Sequence, residues 1–522
     1  MIKGKILWID DEIDILKPHI ILLKEKGYDV DTATNGEDGI EKVKTEHYDL
    51  VFLDETMVGL TGLETLPVIK NIDPNTAIVM VTKNEAESLM EEAIGKSIDD
   101  YLTKPVNPAQ IIMTCKKFLE ESRIKQEKFI QSYLSVFNQL SQRISFSNHW
   151  EEWVDIYKEL VKWSLELDRI KDTGLEQTIN DQWKLANTEF SKFVEENYTD
   201  WLTDKPGHGN PVMSPHLLNI YLEDALKTSS NVFFIVVDCM RYDQWLVMSE
   251  LLAPYFSSKT DFYSSILPTA TPFARNSIFA GLYPTQIKQN YPQWWNVDFN
   301  SEDHKQNAFE KELLDAWLQR KRINLKSKLN FIKIFDTDYG KKIEKEFNSY
   351  IDSHLTALVI NAVDMIAHSR SDYAILKEIA PDESAYRSLT KSWFSHSSLL
   401  NILINISSRK NAKVIITTDH GSIRCMRGVQ VLGDRETSSN LRYKFGKNVK
   451  TDSKSAMMVR DLEHIKIPRQ GISVSNFIAK EDTYFVYPTD YHFYLNKYRD
   501  SFQHGGISLE EMIIPISVLS PR

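Results

Sequence analysis

The sequence predicts an α/β protein of three modules, and three observations carry that prediction. Apolar strands alternate with amphipathic helices from residue 1 to about 120, the strand signal then disappears until about residue 200, and it returns on a larger scale from about residue 216 onward. Alternating strand and helix predicts a parallel, doubly wound sheet whose functional edge lies at the strand carboxyl ends. The length agrees, since 522 residues at roughly 150 per domain give about three domains.

In the first module, residues 1–121, the elements run KILWI, DILKPHIILLKEKG, YDVDTA, GEDGIEKVKTE, YDLVFL, GLETLPVIKNI, TAIVMV, EAESLMEEAI, DDYL and PAQIIMTCKKFLEE, which make five βα units. The second, residues 122–204, contains FIQSYLSVFNQL, WEEWVDIYKELVKWSLEL and EQTINDQWKLANTEFSKFVEENYTDWL. Its apolar residues recur at i, i+3, i+4 and i+7, which predicts a helical bundle joined directly to the last helix of the first module. The tract DKPGHGNPVMSP, residues 204–215, is rich in Pro and Gly and reads as a linker. The third module, residues 205–522, offers the strands VFFIVVD, SSILP, FIKIFD, TALVINAVD and KVIITTD. Segments 285–330 and 421–475 are polar and weakly periodic, and are expected as insertions around a site.

Composition narrows the function. A hydrophobic content of 42% and a charged content of 26% are those of an ordinary globular protein. No run approaches the roughly 18 apolar residues that span a bilayer, and the start MIKGKILWIDDE turns acidic at once, so a cytoplasmic protein with no membrane insertion is expected. Cys115, Cys239 and Cys425 lie far apart without CxxC spacing, which excludes a disulfide framework and a cysteine zinc cluster and leaves inert thiols. A net charge of −11 repels duplex DNA and no helix-turn-helix follows the first module, so direct duplex DNA binding is not expected.

Five polar residues interrupt the apolar strand ends of the first module. Asp10 and Asp11 end the first strand, Asp54 the third, Thr82 the fourth, and Lys104 follows the fifth. All would meet at one sheet edge, where three carboxylates hold a Mg²⁺ ion and Lys104 with the metal neutralises a phosphoryl group on Asp54. With the motifs IDDE, VFLDETM and YLTKP, this module resembles the receiver domain of two-component response regulators. The resemblance implies a flavodoxin-like fold, phosphorylation at Asp54 by a histidine kinase, Asp10 and Asp11 as the metal pair, and Thr82 and Tyr101 as switch residues.

The third module places metal-ligand types at corresponding positions. Asp238 closes VFFIVVD, Asp364 and His368 stand i, i+4 after TALVIN, Asp419 and His420 follow VIITT, and His504 precedes a glycine pair. A mixed Asp/His set suits Zn²⁺ or Mn²⁺, and so many ligands imply two ions. In their order and flanks, VVDCMRYDQW, TATPFARNSIFAGLYPT and HGGISLEEMIIP, these residues resemble the PglZ branch of the alkaline phosphatase superfamily. That resemblance makes Thr271, ten residues before Gly281, the nucleophile. It gives one metal Asp364, His368 and His504, and the other Asp238, Thr271, Asp419 and His420. Arg241 and Arg275 are candidate substrate contacts by their nearness in sequence, with a structural ion pair as the equal alternative for either.

The order of the modules resembles that of PorX-type response regulators. It implies a zinc-dependent phosphodiesterase acting on oligonucleotides or cyclic oligonucleotides, phosphorylation-dependent homodimerisation, and work in type 9 secretion and gliding with a sigma factor and a secretion-machine component. The alternative is a phosphorylation-gated scaffold that binds such a partner and keeps a structural metal site.

Overall fold

A computed structural model of the chain describes residues 3–73, 76–83, 98–170, 173–203, 209–295, 307–372, 377–378, 380–433, 440–446, 449–469 and 475–522. It divides into two compact units, Met1–Ser135 and Val136–Arg522. The expected helix EAESLMEEAI and the start of the linker tract, residues 204–208, lie outside the described residues.

In the first unit β1 (Lys5–Ile9), β2 (Asp29–Ala33), β3 (Leu50–Asp54), β4 (Ala77–Thr82) and β5 (Asp100–Thr103) form one parallel sheet in the order β2-β1-β3-β4-β5. Alternate residues of β1 and β3 feed two cores. Ile6, Trp8 and Phe52 pack with Ile111 and Cys115 on one face, while Leu7, Ile9 and Leu53 pack with Leu66 and Ile69 on the other. Burial on both faces is why these strands are continuous apolar runs. Helix starts are capped by side chains: Asn35 accepts from Asp38 N, and Thr61 and Glu64 form a capping box. The helix Pro108–Cys115 continues through a π turn, Lys116–Glu120, into the long helix Glu121–Phe146, with no break in helical structure.

After the end of the helix Glu121–Phe146, the second unit continues with helices Trp150–Ile170 and Thr173–Trp201, whose aromatic residues interlock, with Trp153 and Phe190 ring centroids 5.4 Å apart and Trp150 and Trp201 5.8 Å apart. Its main strands are β6 (Asn231–Val237), β7 (Phe256–Ser264), β8 (Asn330–Ile334), β9 (Leu355–Ile360) and β10 (Ala412–Thr417). Three small sheets follow, built from β11 (Ile423–Cys425), β12 (Arg427–Gln430), β13 (Tyr443–Gly446), β14 (Ala456–Val459), β15 (Ser475–Ala479), β16 (Thr483–Val486) and β17 (Ser501–Gln503). β18 (Ile513–Pro521) then joins the main sheet, whose order is β7-β18-β10-β6-β9-β8. β10, β6, β9 and β8 run parallel, and β18 is antiparallel to both β10 and β7.

Two expectations change. The strand expected at SSILP lies earlier, over Phe256–Ser264, because a sheet-edge strand with a partly solvated face keeps polar residues such as Lys259 and Asp261. Segment 421–475 carries paired strands of three or four residues, too short to show a period of two. Among the described residues no helix is long and apolar enough to cross a membrane.

Candidate functional site

The first unit gathers its strand-end residues into one pocket. Asp10, Asp11 and Asp54 offer oxygens within 4.8 Å of one another, with Asp10 and Asp54 buried and Asp11 exposed. Lys104 Nζ stands 2.9 Å from Asp10 Oδ2 and 3.0 Å from Asp54 Oδ1. Burial raises the Asp54 carboxyl to about 6, against the pull of the Lys104 hydrogen bond and with the push of Asp10. Two buried carboxylates and an exposed third around a single ammonium leave negative charge for a hard cation to offset, so the donor set fits Mg²⁺. Thr82 ends β4 and its hydroxyl donates to the Glu55 carboxylate. Tyr101 lies on the neighbouring β5 and is exposed. Gly62 starts the helix beyond Asp54, and a Cβ there would sit 2.3 Å from Asp54 O, so the helix backbone touches the strand end that carries Asp54.

In the second unit the sheet does the positioning. β10, β6 and β9 are neighbours, parallel, and end together. Asp419 and His420 follow β10, Asp238 follows β6, and the helix Ala362–Asp372 starts directly after β9, putting Asp364 and His368 on successive turns. Asp238 N donates to Ile360 O at 2.8 Å, tying the ends of β6 and β9 together. Thr271 is the first residue of the helix Thr271–Ala280, which ends at the left-handed Gly281. His504 follows β17, and Gly505 takes a φ of +116° where a Cβ would meet Tyr443 at 2.8 Å.

Two ligand groups result. In one, His368 Nε2 lies 3.3 Å from Asp364 Oδ1, and His504 Nε2 lies 3.4 Å from His368 Nε2 and 3.8 Å from Asp364 Oδ1. In the other, His420 Nε2 lies 3.9 Å from Asp238 Oδ1 and 3.7 Å from Asp419 Oδ2. Thr271 Oγ1 stands in this second group, 3.0 Å from His420 Nε2 and 3.4 Å from Asp238 Oδ1. His420 and His504 turn Nδ1 to backbone carbonyls, of Gly421 at 3.1 Å and Thr269 at 3.3 Å, which leaves each Nε2 for the site.

Electrostatics favour cations here. Burial pushes the Asp238 carboxyl well up, opposed by Arg275 and reinforced by Asp419 and Asp364. Burial, helped by His420, pushes His504 well below its ordinary value, so the ring is neutral and its lone pair free to ligate. Asp364 is held low although burial opposes it, chiefly by His368. Asp419 Oδ2 is buried with no hydrogen-bond partner among the described residues. Carboxylates and imidazoles at this spacing fit a divalent ion in each group.

The two arginines take the ion-pair alternative. Arg275, 2% exposed, forms an ion pair with Asp238 Oδ2 through Nη1 at 2.7 Å and donates a hydrogen bond through Nε to Glu310 Oε1 at 2.7 Å. Arg241, equally buried, pairs with Asp243 and Glu383 at 2.6 Å and lies against the stacked rings of Tyr386 and Phe502. Both guanidinium groups pair with carboxylates inside the protein, which favours a supporting role over substrate contact. Glu310 was not singled out in the sequence because it sits in a segment read as an insertion, yet it is fully buried and also takes Lys333 at 2.5 Å. Thr269 is likewise a support: its hydroxyl donates to Gly506 O and accepts from Gly505 N.

Comparison with known proteins finds three family models in order along the chain. A response regulator receiver domain matches residues 6–116, the PorX response regulator linker domain residues 123–202, and the BREX system PglZ alkaline phosphatase-like domain residues 218–519. Among curated proteins, the Bacillus subtilis alkaline phosphatase synthesis transcriptional regulatory protein PhoP is 34% identical over 122 residues, 23% of this chain and 50% of its own length. The Haemophilus influenzae transcriptional regulatory protein CpxR homolog is 35% identical over 121 residues, 23% of this chain and 52% of its length. The chain thus spans about half the length of these relatives. Among solved structures, a CheY-like receiver domain protein from Methanospirillum hungatei JF-1 is 28% identical, covering 23% of this chain and 94% of that one with a TM-score of 0.22.

Proposed function

This chain belongs to the PglZ alkaline phosphatase-like family, its matched segments follow the order of a PorX-type response regulator, and on that premise we propose that it is a receiver-controlled phosphodiesterase with Thr271 as its nucleophile. The observation that carries the reading is the position of Thr271 Oγ1, 3.0 Å from His420 Nε2, at the first residue of a helix and beside two Asp/His groups. A helix N-terminus favours the negative charge of a phosphoryl group and of an ionising hydroxyl.

Divalent ions, zinc with manganese as substitute, held by Asp364, His368 and His504 and by Asp238, Thr271, Asp419 and His420, supply Lewis-acid polarisation of the phosphoryl oxygens when bound. Thr271 Oγ1 forms its bond to phosphorus as the ester oxygen leaves on the opposite side, and water then cleaves the phosphothreonine to return the free hydroxyl. Arg275 and Glu310 hold Asp238 in place. The substrate class is a nucleotide-type phosphodiester, a linear or cyclic oligonucleotide. Upstream, a histidine kinase phosphorylates Asp54 with Mg²⁺ held by Asp10 and Asp11, and Lys104, Thr82 and Tyr101 respond to the phosphoryl group. Phosphorylation promotes a homodimer, and the output serves type 9 secretion in the cytoplasm, with a sigma factor and a secretion-machine component as partners. The modules are residues 1–121, 122–204 and 205–522.

The test is turnover of bis-p-nitrophenyl phosphate by the full chain with and without zinc. Zinc-dependent turnover is expected. Tight zinc binding with no turnover by either the phosphorylated or the unphosphorylated form overturns the enzymatic reading in favour of a scaffold.

A further inference from the structure

The helix Thr173–Trp201 reaches, with buried polar side chains, into the loops that carry Thr271 and His504. Asn187, 5% exposed, uses both ends of its amide: Oδ1 accepts from Leu509 N at 2.8 Å and Nδ2 donates to Glu510 Oε2 at 3.1 Å. Tyr198, fully buried, accepts at its hydroxyl from Leu267 N at 2.7 Å, four residues before Thr271. Leu509 begins a helix, so its N–H has no carbonyl partner within that helix, and the amide of Asn187 satisfies it.

The backbone that Asn187 holds is also the backbone that the ligand turns rest on. Gly506, two residues past His504, donates through N to Glu511 Oε1 at 2.8 Å. Gly421, which follows His420, donates to Glu511 O at 3.4 Å, and a Cβ on it would lie 2.0 Å from Glu510 O. Residues Leu509, Glu510 and Glu511 are therefore gripped by Asn187 on one side and touch the turns of His420 and His504 on the other.

We propose that Asn187 is a positioning residue for phosphoryl transfer, setting the direction of His504 and His420 through Leu509–Glu511, with Tyr198 steadying the loop that leads to Thr271. It touches neither substrate nor ligand atoms. The helix of the linker segment is by this reading part of the catalytic frame, and the inference rests on the phosphodiesterase reading of the Thr271 site.

Gln182 provides the control. It lies on the same helix, is 2% exposed, and its amide donates to Phe137 O at 3.2 Å and Ser141 Oγ at 3.0 Å, away from the ligand loops. The full zinc-loaded chain and its Asn187→Ala and Gln182→Ala variants are compared for kcat and KM on bis-p-nitrophenyl phosphate, thermal midpoint, and rate of zinc loss to a chelator. Both variants lower the midpoint. Asn187→Ala is expected to lower kcat by about tenfold or more with KM within about threefold, and to speed zinc loss, while Gln182→Ala keeps kcat within about twofold. An Asn187→Ala enzyme with wild-type kcat and zinc loss, or one that declines in step with Gln182→Ala, overturns the proposal. If the wild type itself shows no turnover, the phosphodiesterase reading falls and the zinc readout decides: faster loss from Asn187→Ala than from Gln182→Ala supports the positioning role, and equal rates overturn it.

Discussion

The imidazole rings of His420 and His504 stack, their centroids 4.2 Å apart and their planes 19° from parallel. They belong to different ligand groups and to distant parts of the chain, so the contact joins the two groups into one centre. Each ring is oriented by a backbone carbonyl, and neither could turn without disturbing the other.

Thr271→Ala should abolish phosphodiester turnover while leaving both metals bound, since each group keeps three protein ligands. Steady-state kinetics with metal analysis checks this. A residual rate within about tenfold of wild type, about 1.4 kcal/mol, would mean that water attacks phosphorus directly.

His368→Ala or His504→Ala should lower the content of one ion, and Asp419→Ala or His420→Ala that of the other. Metal stoichiometry of each purified variant reads this out. Loss of both ions from every variant in equal measure would contradict two distinct positions, apart from the coupling carried by the stacked rings.

Arg275→Met leaves Asp238 buried without its arginine counter-charge and leaves Glu310 with Lys333 alone. Removing one partner of a buried ion pair costs about 3–5 kcal/mol, so denaturant unfolding of the metal-free protein should show a loss of that size. Added zinc should recover part of it, because the cation would supply charge beside Asp238.

Asp54→Ala should eliminate labelling by acetyl phosphate and any beryllofluoride response, measured by phosphate incorporation and by light scattering. Retained label would move the phosphoacceptor elsewhere. In the wild type, a mass unchanged by beryllofluoride at micromolar concentrations would reject dimerisation as the switch.

Glu510 is raised by burial to about 7 from an ordinary 4.5. A carboxyl raised in the folded state contributes stability that is fully present below about pH 4.5 and is lost as pH rises through 7. Glu510→Gln should therefore raise the unfolding free energy at pH 8, by at most about 3 kcal/mol, and change it little near pH 4.5, as parallel denaturant titrations would show.

Much of this was legible because function sits where apolar strands stop. Asp54, Asp238 and Asp419 each follow a buried run that would otherwise continue, and a carboxylate there marks the sheet edge from sequence alone. Asp364 and His368 were placed by helical spacing, which the helix Ala362–Asp372 reproduces. The supporting residues were not legible. Arg275 and Glu310 meet only when residues 35 positions apart fold together, and nothing local to either distinguishes an internal pair from a substrate contact. Asn187 is one polar residue on an amphipathic helix, and its partners lie more than 300 residues away. β18 escaped notice because IIPISVLSP contains Pro515, and a proline within a run argues against a central strand.

β18 also bears on how the protein folds. It is the strip between β7 and β10, paired to one through Ile513 with Ser264 and to the other through Ile516 with Thr417. Until it docks, two strand edges stand open on opposite sides of a gap, and the sequence separation to β7 makes that closure slow in a chain where distant contacts set the rate. The nascent second unit is thus exposed to edge-to-edge association for as long as Ile513–Pro521 is missing, whereas the parallel sheet of the first unit draws all its strands from within the first 103 residues and needs no such late partner.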